Sequence, residues 1–201
     1  MPERKSAPTH VPRHIPVATD RVILVDDQDR PLGSEDKLRA HAGIGGQLHR
    51  AFSIFVFDAD GHFLLQRRAG TKYHFGGLWT NTCCSHPHED YDMVEFARSR
   101  LYEEMGFDTE LKEAFAFMYR ATDIQSGLTE YEYDHVLFGR YDGMPRPNPV
   151  EVDDWRWADP AGLRADVTRY PERYTPWFRI VLDRVLSYRE PEHWQLHGVA
   201  C

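Results

Sequence analysis

Residues 92–107, with the sequence DMVEFARSRLYEEMGF, are the stretch on which the interpretation of the fold depends. Apolar residues recur there at the three- and four-residue spacing of a helix that buries one face, at Val94, Ala97, Leu101 and Met105. Asp92 can cap the first turn, with Glu95 three residues later, and Gly106 is typical of the position that ends a helix. The stretch therefore predicts a helix over 92–105.

Strand-like segments lie on both sides of this helix. We predict strands over 21–26, 51–57, 62–67, 78–84, 110–119, 131–141 and 150–158, and a helix over 176–186. A short helix capped by Ser34 is predicted to contain Lys37 and His41. The run AFSIFVF at 51–57 is almost entirely apolar, which indicates a strand covered on both faces. Because strands and helices do not alternate regularly, we expect an α/β fold with helices on both faces of a mixed sheet.

Length, composition and charge exclude several classes of protein. The 201 residues suit one domain, expected over 18–188, with a flexible tail over 1–17 and a C-terminal tail over 189–201. Hydrophobic residues at 41% exclude a fully disordered chain, and charged residues at 28% exclude a membrane-embedded one. The net charge of -8 argues against a nucleic-acid partner. Three cysteines cannot build a disulfide framework, and the N-terminus has no apolar signal segment, so we expect a cytoplasmic protein.

Two acidic residues in the segment EYE can share one face of a strand. Glu130 and Glu132 are two positions apart, and strand side chains alternate between faces. By spacing alone, the solvent-exposed face of an edge strand is the favoured interpretation. The alternative is a divalent cation that relieves the repulsion between the carboxylates, together with the three histidines His41, His49 and His86. Imidazoles favour Mn²⁺ or Zn²⁺, whereas carboxylates also suit Mg²⁺.

The segment NTCCSHP at 81–87 places two thiols close to an imidazole. Strand alternation sends Cys83 and Cys84 to opposite faces and puts Cys84 on the same face as His86. Cys84 is therefore the candidate for a reactive thiol and Cys83 for ordinary core packing, although packing is a common fate of any free cysteine.

Further charged residues have two interpretations each. Glu103 and Glu104 end the helix where its dipole favours cations, which indicates metal binding or a solvated helix end. Basic residues near predicted strand ends can clamp a phosphate group or lie on a solvated surface; they are Lys37, Arg67, Arg68 and Lys72.

The order of these motifs along the chain resembles type 1 isopentenyl-diphosphate isomerases, which have the Nudix fold. The resemblance covers about 18–188 and rests on AH…LHRAFS at 40–53, WTNTCCSHP at 79–87, YRATD at 119–123 and EYE at 130–132. EEMGF at 103–107 resembles the end of the Nudix box. However, Ser99 and Arg100 stand where Nudix hydrolases carry Arg and Glu, and Ser85 replaces the first Gly. The missing Glu weighs against hydrolysis of a diphosphate bond.

The resemblance implies a Nudix-like α/β/α sandwich and a role for each matching residue. It implies metal ligation by His41, His49, His86, Glu130 and Glu132, with Glu104 holding a Mg²⁺ on the substrate diphosphate. It implies diphosphate contacts from Lys37, Arg68, Lys72 and Arg100. Glu132, assisted by Tyr119, would be the acid and Cys84 the base, with Trp177 beside the substrate carbons.

The expected reaction interconverts isopentenyl and dimethylallyl diphosphate without flavin or nicotinamide. We expect a monomer or weak homo-oligomer with no nucleic-acid or membrane partner. The alternatives are a Nudix hydrolase of a nucleoside or isoprenoid diphosphate and a Nudix-like binding module without catalysis. Neither alternative explains the combination of Cys84, Tyr119 and Glu132.

Overall fold

A mixed sheet forms the centre of the protein in a computed structural model, which describes residues 20–43 and 45–188. Within those ranges the elements are β1 (Arg21–Val25), β2 (Pro31–Asp36), α1 (Lys37–His41), β3 (His49–Phe57), β4 (Phe63–Arg68), β5 (Trp79–Thr80), β6 (Cys83–Ser85), α2 (Met93–Met105), β7 (Leu111–Thr122), β8 (Thr129–Arg140), β9 (Val152–Ala158), α3 (Pro160–Arg169) and α4 (Pro176–Tyr188). The tails expected over 1–17 and 189–201 lie outside the described residues.

Strand β3 is the hub of the sheet. It pairs in parallel with β8, from His49 beside Glu132 to Phe57 beside Arg140. Its pairings with β1, β4 and β6 are antiparallel, while β7 adds to β8 and β9 to β4. The mixed sheet is therefore confirmed.

Helices cover both faces of the sheet, as the apolar run in β3 predicts. On one face, Ile54 and Val56 of β3 pack in a buried cluster with Leu101 and Met105 of α2. On the other face, Phe55 and Phe57 pack in a second cluster that contains the buried residues of α4, which are Trp177, Phe178, Val181, Leu182 and Val185. Burial of each such side chain contributes about 1.5–3 kcal/mol to the free energy of unfolding. The architecture is the expected α/β/α sandwich.

Helix α2 begins and ends as its sequence predicts. The Asp92 carboxylate accepts hydrogen bonds of 3.0 Å from the backbone amides of Val94 and Glu95. Gly106 follows the last turn with φ of 73°, and its amide donates to the Tyr102 carbonyl at 2.9 Å. A Cβ at this position would lie 2.3 Å from the Arg146 carbonyl oxygen. Both the positive φ and this close approach therefore require glycine.

Two predictions about smaller elements are wrong, and one helix escapes prediction. Ser34 does not cap α1, because it lies within the exposed strand β2; Asp36 is the cap. The strand predicted over 78–84 is two short strands, because the Asn81 amide group donates to the carbonyls of Ile54 and Cys83 and so takes the place of strand pairing. Helix α3 was not predicted, since among its residues only Leu163 is buried.

No helix among residues 20–43 and 45–188 has both the length and the apolar character needed to cross a membrane.

Candidate active site and metal centre

Five potential metal ligands converge near the start of the parallel pair β3 and β8. Each offers one ligand atom, and these atoms all lie within 4.8 Å of one another; the residues are His41, His49, His86, Glu130 and Glu132. His41 ends α1 and His49 begins β3, while β8 supplies both carboxylates. The structure thus brings together all five residues of the predicted cluster.

Strand spacing alone favours a solvent-exposed position for Glu130 and Glu132, and that prediction is wrong. Glu130 is 4% and Glu132 7% exposed. Strand β8 is not an edge, because β3 and β7 pair with it on either side. The alternation correctly places both carboxylates on one face, but that face lies against the histidines of α1 and β3.

Backbone carbonyls orient two of the imidazoles. His41 Nδ1 lies 2.5 Å from the Lys37 carbonyl oxygen, and His49 Nδ1 lies 2.7 Å from that of Gln47. A carbonyl only accepts hydrogen bonds, so each Nδ1 carries the proton and each Nε2 presents a lone pair. His49 Nε2 lies 3.1 Å from His86 Nε2. The hydrogen bonds from His41 Nδ1 and His49 Nδ1 to the backbone are of the kind that orients metal-binding histidines.

The cluster contains buried polar atoms that a cation would satisfy. His41 Nε2 and Glu130 Oε2 lie 2.7 Å apart, yet neither makes a hydrogen bond of acceptable geometry. An unsatisfied buried polar atom is costly, and two such atoms side by side fit a shared ion. Three imidazoles and two carboxylates are a suitable donor set for a divalent metal ion, which this cluster can therefore bind.

The protonation states also suit metal binding. Burial would raise the pKa of Glu130, but its contacts with His41 and His74 hold it well below the usual range. Burial and Glu130 would raise the pKa of Glu132, but His49 and His86 outweigh them and lower it. Burial, reinforced by the charge of Lys37, lowers the pKa of His86 to about 3. Ionised carboxylates and a neutral imidazole are the forms that ligate metal.

One solvent-connected cleft of about 520 Å³ unites the other predicted residues with this cluster. Its lining includes Lys37, Arg68, Lys72, Cys84, His86, Arg100, Glu104, Tyr119, Glu130, Glu132 and Trp177. His41 and His49 are fully buried and lie outside the lining. The candidate catalytic groups and cations therefore face the same space.

Cys83 and Cys84 point to opposite sides of the sheet, as strand alternation predicts. Cys83 is fully buried in the cluster beneath α2, whereas Cys84 lines the cleft. The Cys84 thiol donates to Asn81 Oδ1 at 3.0 Å. Burial and the nearby Asp134 raise the pKa of Cys84 to about 12, so the free protein holds it as a thiol.

Glu132 is held by a buried phenol. Tyr119 Oη donates to Glu132 Oε2 at 2.6 Å, and burial together with the carboxylate raises the pKa of Tyr119 well above its usual value. Trp177 is 3% exposed, and its ring centre lies 6.2 Å from that of Tyr119. The Arg68 guanidinium lies 5.4 Å from the Trp177 ring centre. An aromatic surface thus adjoins both the carboxylate and a cation.

Of the four cations predicted to contact the diphosphate, two form ion pairs with carboxylates of the described residues and two do not. Lys72 pairs with Glu151, and Arg100 pairs with Glu103 and, at 2.8 Å, with Glu104. Within the described part of the chain, Lys37 and Arg68 form no ion pair with a carboxylate.

Arg67, which the sequence groups with these cations, does not line the cleft. It pairs with Asp154 at 4.0 Å and lies 6.0 Å from the Trp79 ring centre.

Comparison with known proteins identifies the family. A family model described as the NUDIX domain matches residues 47–178. Isopentenyl-diphosphate Delta-isomerase 2 of Aromatoleum aromaticum is 55% identical over 170 residues, which cover 85% of this chain and 88% of that protein. The chain belongs to the isopentenyl-diphosphate Delta-isomerase family. Another member, from Halorhodospira halophila, is 52% identical over 80% of this chain and 91% of its own length.

Two solved structures share the fold of this isopentenyl-diphosphate Delta-isomerase family member. The DR0079 protein of Deinococcus radiodurans matches with a TM-score of 0.65 and 19% identity, over 82% of this chain and 98% of that one. A MutT protein from Methanosarcina mazei gives 0.58 and 16%, over 71% and 96%. At these identities the likeness concerns the fold alone.

Several residues around the site of this family member escape prediction from sequence. Ser53 donates to Asp134 at 2.7 Å and lies 3.5 Å from Cys84 Sγ. Asp134 follows Glu132 by two residues, so strand alternation could have placed it on the same face. Gln66 donates to Glu104 at 3.0 Å, and His74 contacts Glu130. Neither of the last two belongs to a local pattern that predicts such a contact.

Proposed function

We propose that this chain interconverts isopentenyl diphosphate and dimethylallyl diphosphate, the activity that the names of its relatives state. The observation that carries the proposal is that a thiol, Cys84, and a carboxylate of the metal cluster, Glu132, line one cleft. A hydrolase or a binding module has no use for this pair beside a buried phenol.

The reaction requires two proton transfers. The alkene of isopentenyl diphosphate is unactivated, so an acid must protonate C4 and leave a tertiary carbocation at C3. A base then removes a proton from C2 to give dimethylallyl diphosphate. Positioned acid and base groups each contribute about 10²–10⁴-fold to the rate of such a step.

We assign the acid to Glu132, assisted by Tyr119, and the base to Cys84. In the free protein burial raises the pKa of Cys84 to about 12, whereas the pKa of Glu132 is lowered despite its burial. The free protein therefore has the protonation state that conversion to dimethylallyl diphosphate leaves behind. Each further turnover requires Cys84 to lose a proton and Glu132 to regain one, and both protons exchange with solvent.

The carbocation is stabilised by its surroundings. Trp177 and Tyr119 present aromatic rings whose centres lie 6.2 Å apart. A cation against the face of an aromatic ring gains on the order of 2 kcal/mol when water is excluded. Both rings are nearly completely buried, which also limits capture of the carbocation by water.

The five-residue cluster would hold Mn²⁺, Zn²⁺ or Mg²⁺ through His41, His49, His86, Glu130 and Glu132. When bound, such an ion supplies positive charge that fixes the Glu132 carboxylate. Glu104 would bind the diphosphate through the Mg²⁺ that the substrate carries. Direct contacts to the diphosphate would come from the cations Lys37, Arg68, Lys72 and Arg100. Lys37 and Arg68 do so without breaking an ion pair within the described residues. No flavin or nicotinamide takes part, because no hydride or electron moves.

We further propose that residues 18–188 form the catalytic domain between tails at 1–17 and 189–201. It would act in the cytoplasm as a monomer or weak homo-oligomer, without nucleic-acid or membrane partners. The net charge of -8 supports the absence of nucleic acid, and the two described cysteines are free thiols, as expected in a reducing compartment.

The proposal is tested by incubating the purified chain with isopentenyl diphosphate, Mg²⁺ and Mn²⁺. We expect dimethylallyl diphosphate with no release of phosphate or pyrophosphate. Release of phosphate would favour the hydrolase, and no turnover would favour the binding module. Glu132→Gln should abolish turnover, whereas Glu110→Gln, the same change at a side chain that is 81% exposed, should not.

A further inference from the structure

His74 is a buried imidazole that none of the roles above uses. It lies between β4 and β5, is 5% exposed, and lines the cleft. Its Nε2 contacts Glu130 Oε1 at hydrogen-bonding range. It is not part of the group whose ligand atoms all lie within 4.8 Å of one another.

The two oxygens of Glu130 have different neighbours. Oε2 faces the metal cluster, 2.7 Å from His41 Nε2 and 3.8 Å from His49 Nε2. Oε1 contacts His74 Nε2 instead. A carboxylate that ligates metal only accepts hydrogen bonds, so His74 Nε2 must carry the proton in this contact.

The segment around His74 is held in place from both sides. The Arg68 guanidinium donates to the carbonyls of His74 and Phe75, each at 3.2 Å. The Phe75 amide donates to Asp123 at 3.1 Å, and Phe75 itself has φ of 49°, a conformation that is uncommon for a residue with a side chain. The imidazole packs 4.4 Å from the Tyr73 ring, measured between ring centres.

We propose that His74 is a positioning residue of the metal centre: it donates to Glu130 Oε1 and thereby directs Oε2 toward the ion. The inference rests on the proposed metal site and not on the substrate. His74 does not ligate the ion itself, because its Nε2 is engaged by Glu130 and neither of its ring nitrogens belongs to the group of ligand atoms that lie within 4.8 Å of one another. Outer partners of this kind typically change metal affinity about 10–100-fold.

The test measures Mn²⁺ binding to the metal-free full chain without diphosphate, using the electron paramagnetic resonance signal of free Mn²⁺. His74→Leu removes the donor, whereas His74→Gln keeps an N–H near the position of Nε2. We expect His74→Leu to bind Mn²⁺ about 10–100-fold more weakly and His74→Gln to stay within about threefold of the unmodified chain. His135→Gln, on β8, is the matched control, because this histidine also contacts carboxylates, Asp29 and Glu113, but lies outside the cluster; it should bind normally.

Two results would overturn the proposal. If His74→Leu binds Mn²⁺ within about threefold of the unmodified chain, Glu130 does not need the donor. If His74→Gln is as weak as His74→Leu, the imidazole acts in another way, such as direct ligation. Should His74→Leu fail to unfold cooperatively on heating, His74→Ala takes its place under the same criteria.

Failure of this proposal and of the proposed function are distinguishable. Mn²⁺ affinity is measured without substrate, whereas turnover is measured on the unmodified chain. Turnover with a normal His74→Leu affinity refutes only the positioning role. An affinity loss restored by His74→Gln, in a chain that converts no isopentenyl diphosphate, refutes only the isomerase.

Discussion

The adjacent thiols Cys83 and Cys84 allow one chemical change to be made on either side of the sheet. Cys83 is fully buried beneath α2, and Cys84 lines the cleft beside Glu132. Cys83→Ala and Cys84→Ala therefore each remove one sulfur from neighbouring positions in β6. Only the second change removes a group that we assign to proton transfer.

The two variants should differ in how much stability and how much kcat they lose. Loss of the Cys83 sulfur removes buried volume comparable to a methyl group, which should lower the free energy of unfolding by about 1–2 kcal/mol. For a chain of this length, that corresponds to a decrease in Tm of about 2–8 °C. Cys84→Ala removes a hydrogen bond to Asn81 Oδ1, but the Thr80 hydroxyl still donates to that oxygen at 2.9 Å. We expect a stability loss of about 1 kcal/mol or less, together with a decrease in kcat of about 10²–10⁴-fold.

The assay follows conversion of isopentenyl diphosphate by proton NMR and thermal unfolding by circular dichroism on the same preparations. Cys83→Ala should be less stable with nearly unchanged kcat, and Cys84→Ala should show the reverse pattern. Equal losses of kcat in the two variants, or full activity of Cys84→Ala, would refute the assignment of Cys84.

Three further predictions follow from the protonation states. Because burial raises the pKa of Cys84 to about 12, alkylation of this thiol by iodoacetamide, mapped by mass spectrometry, should stay slow through neutral pH; a rate that levels off near pH 9 would contradict this. Burial opposes protonation of His41, but Glu130 outweighs it and raises the pKa of His41. As the pH is lowered, the affinity for Mn²⁺ should therefore begin to fall at a higher pH than it would with an ordinary imidazole ligand. An affinity that stays unchanged down to pH 6 would contradict this. Burial and Glu132 raise the pKa of Asp134 well above 3.8, so the stability it contributes is present at low pH and lost as the pH rises. Above pH 4, Asp134→Asn should therefore become more stable relative to the unmodified chain as the pH rises, by up to about 1.4 kcal/mol per pH unit. The free energies of unfolding are measured by urea titration, and a difference that does not change with pH would contradict this.

The parts of the fold that depend on local sequence were predictable. The bounds of α2 follow from Asp92, from apolar spacing and from Gly106, all within one segment. The opposite directions of Cys83 and Cys84 follow from strand alternation, which is also local. The order of motifs along the chain predicted the family, which the relatives confirm.

Features that depend on distant pairing were not predictable from spacing. Glu130 and Glu132 are buried because β8 lies between β3 and β7, and β3 is far from β8 along the chain. The contact between His74 and Glu130 joins a loop to a strand across 56 positions. Strand β2 lacks buried residues and contains Gly33, so neither its composition nor its periodicity indicates a strand.

In the proposed mechanism, two solvent-exchangeable groups of this chain, Glu132 and Cys84, move protons to and from the substrate carbons. The most direct test is to incubate the metal-loaded chain with isopentenyl diphosphate in D₂O and to locate deuterium in the product by NMR. We expect dimethylallyl diphosphate that carries deuterium in the methyl group formed from C4. Dimethylallyl diphosphate without deuterium, or hydrolysis of the diphosphate in its place, would contradict it.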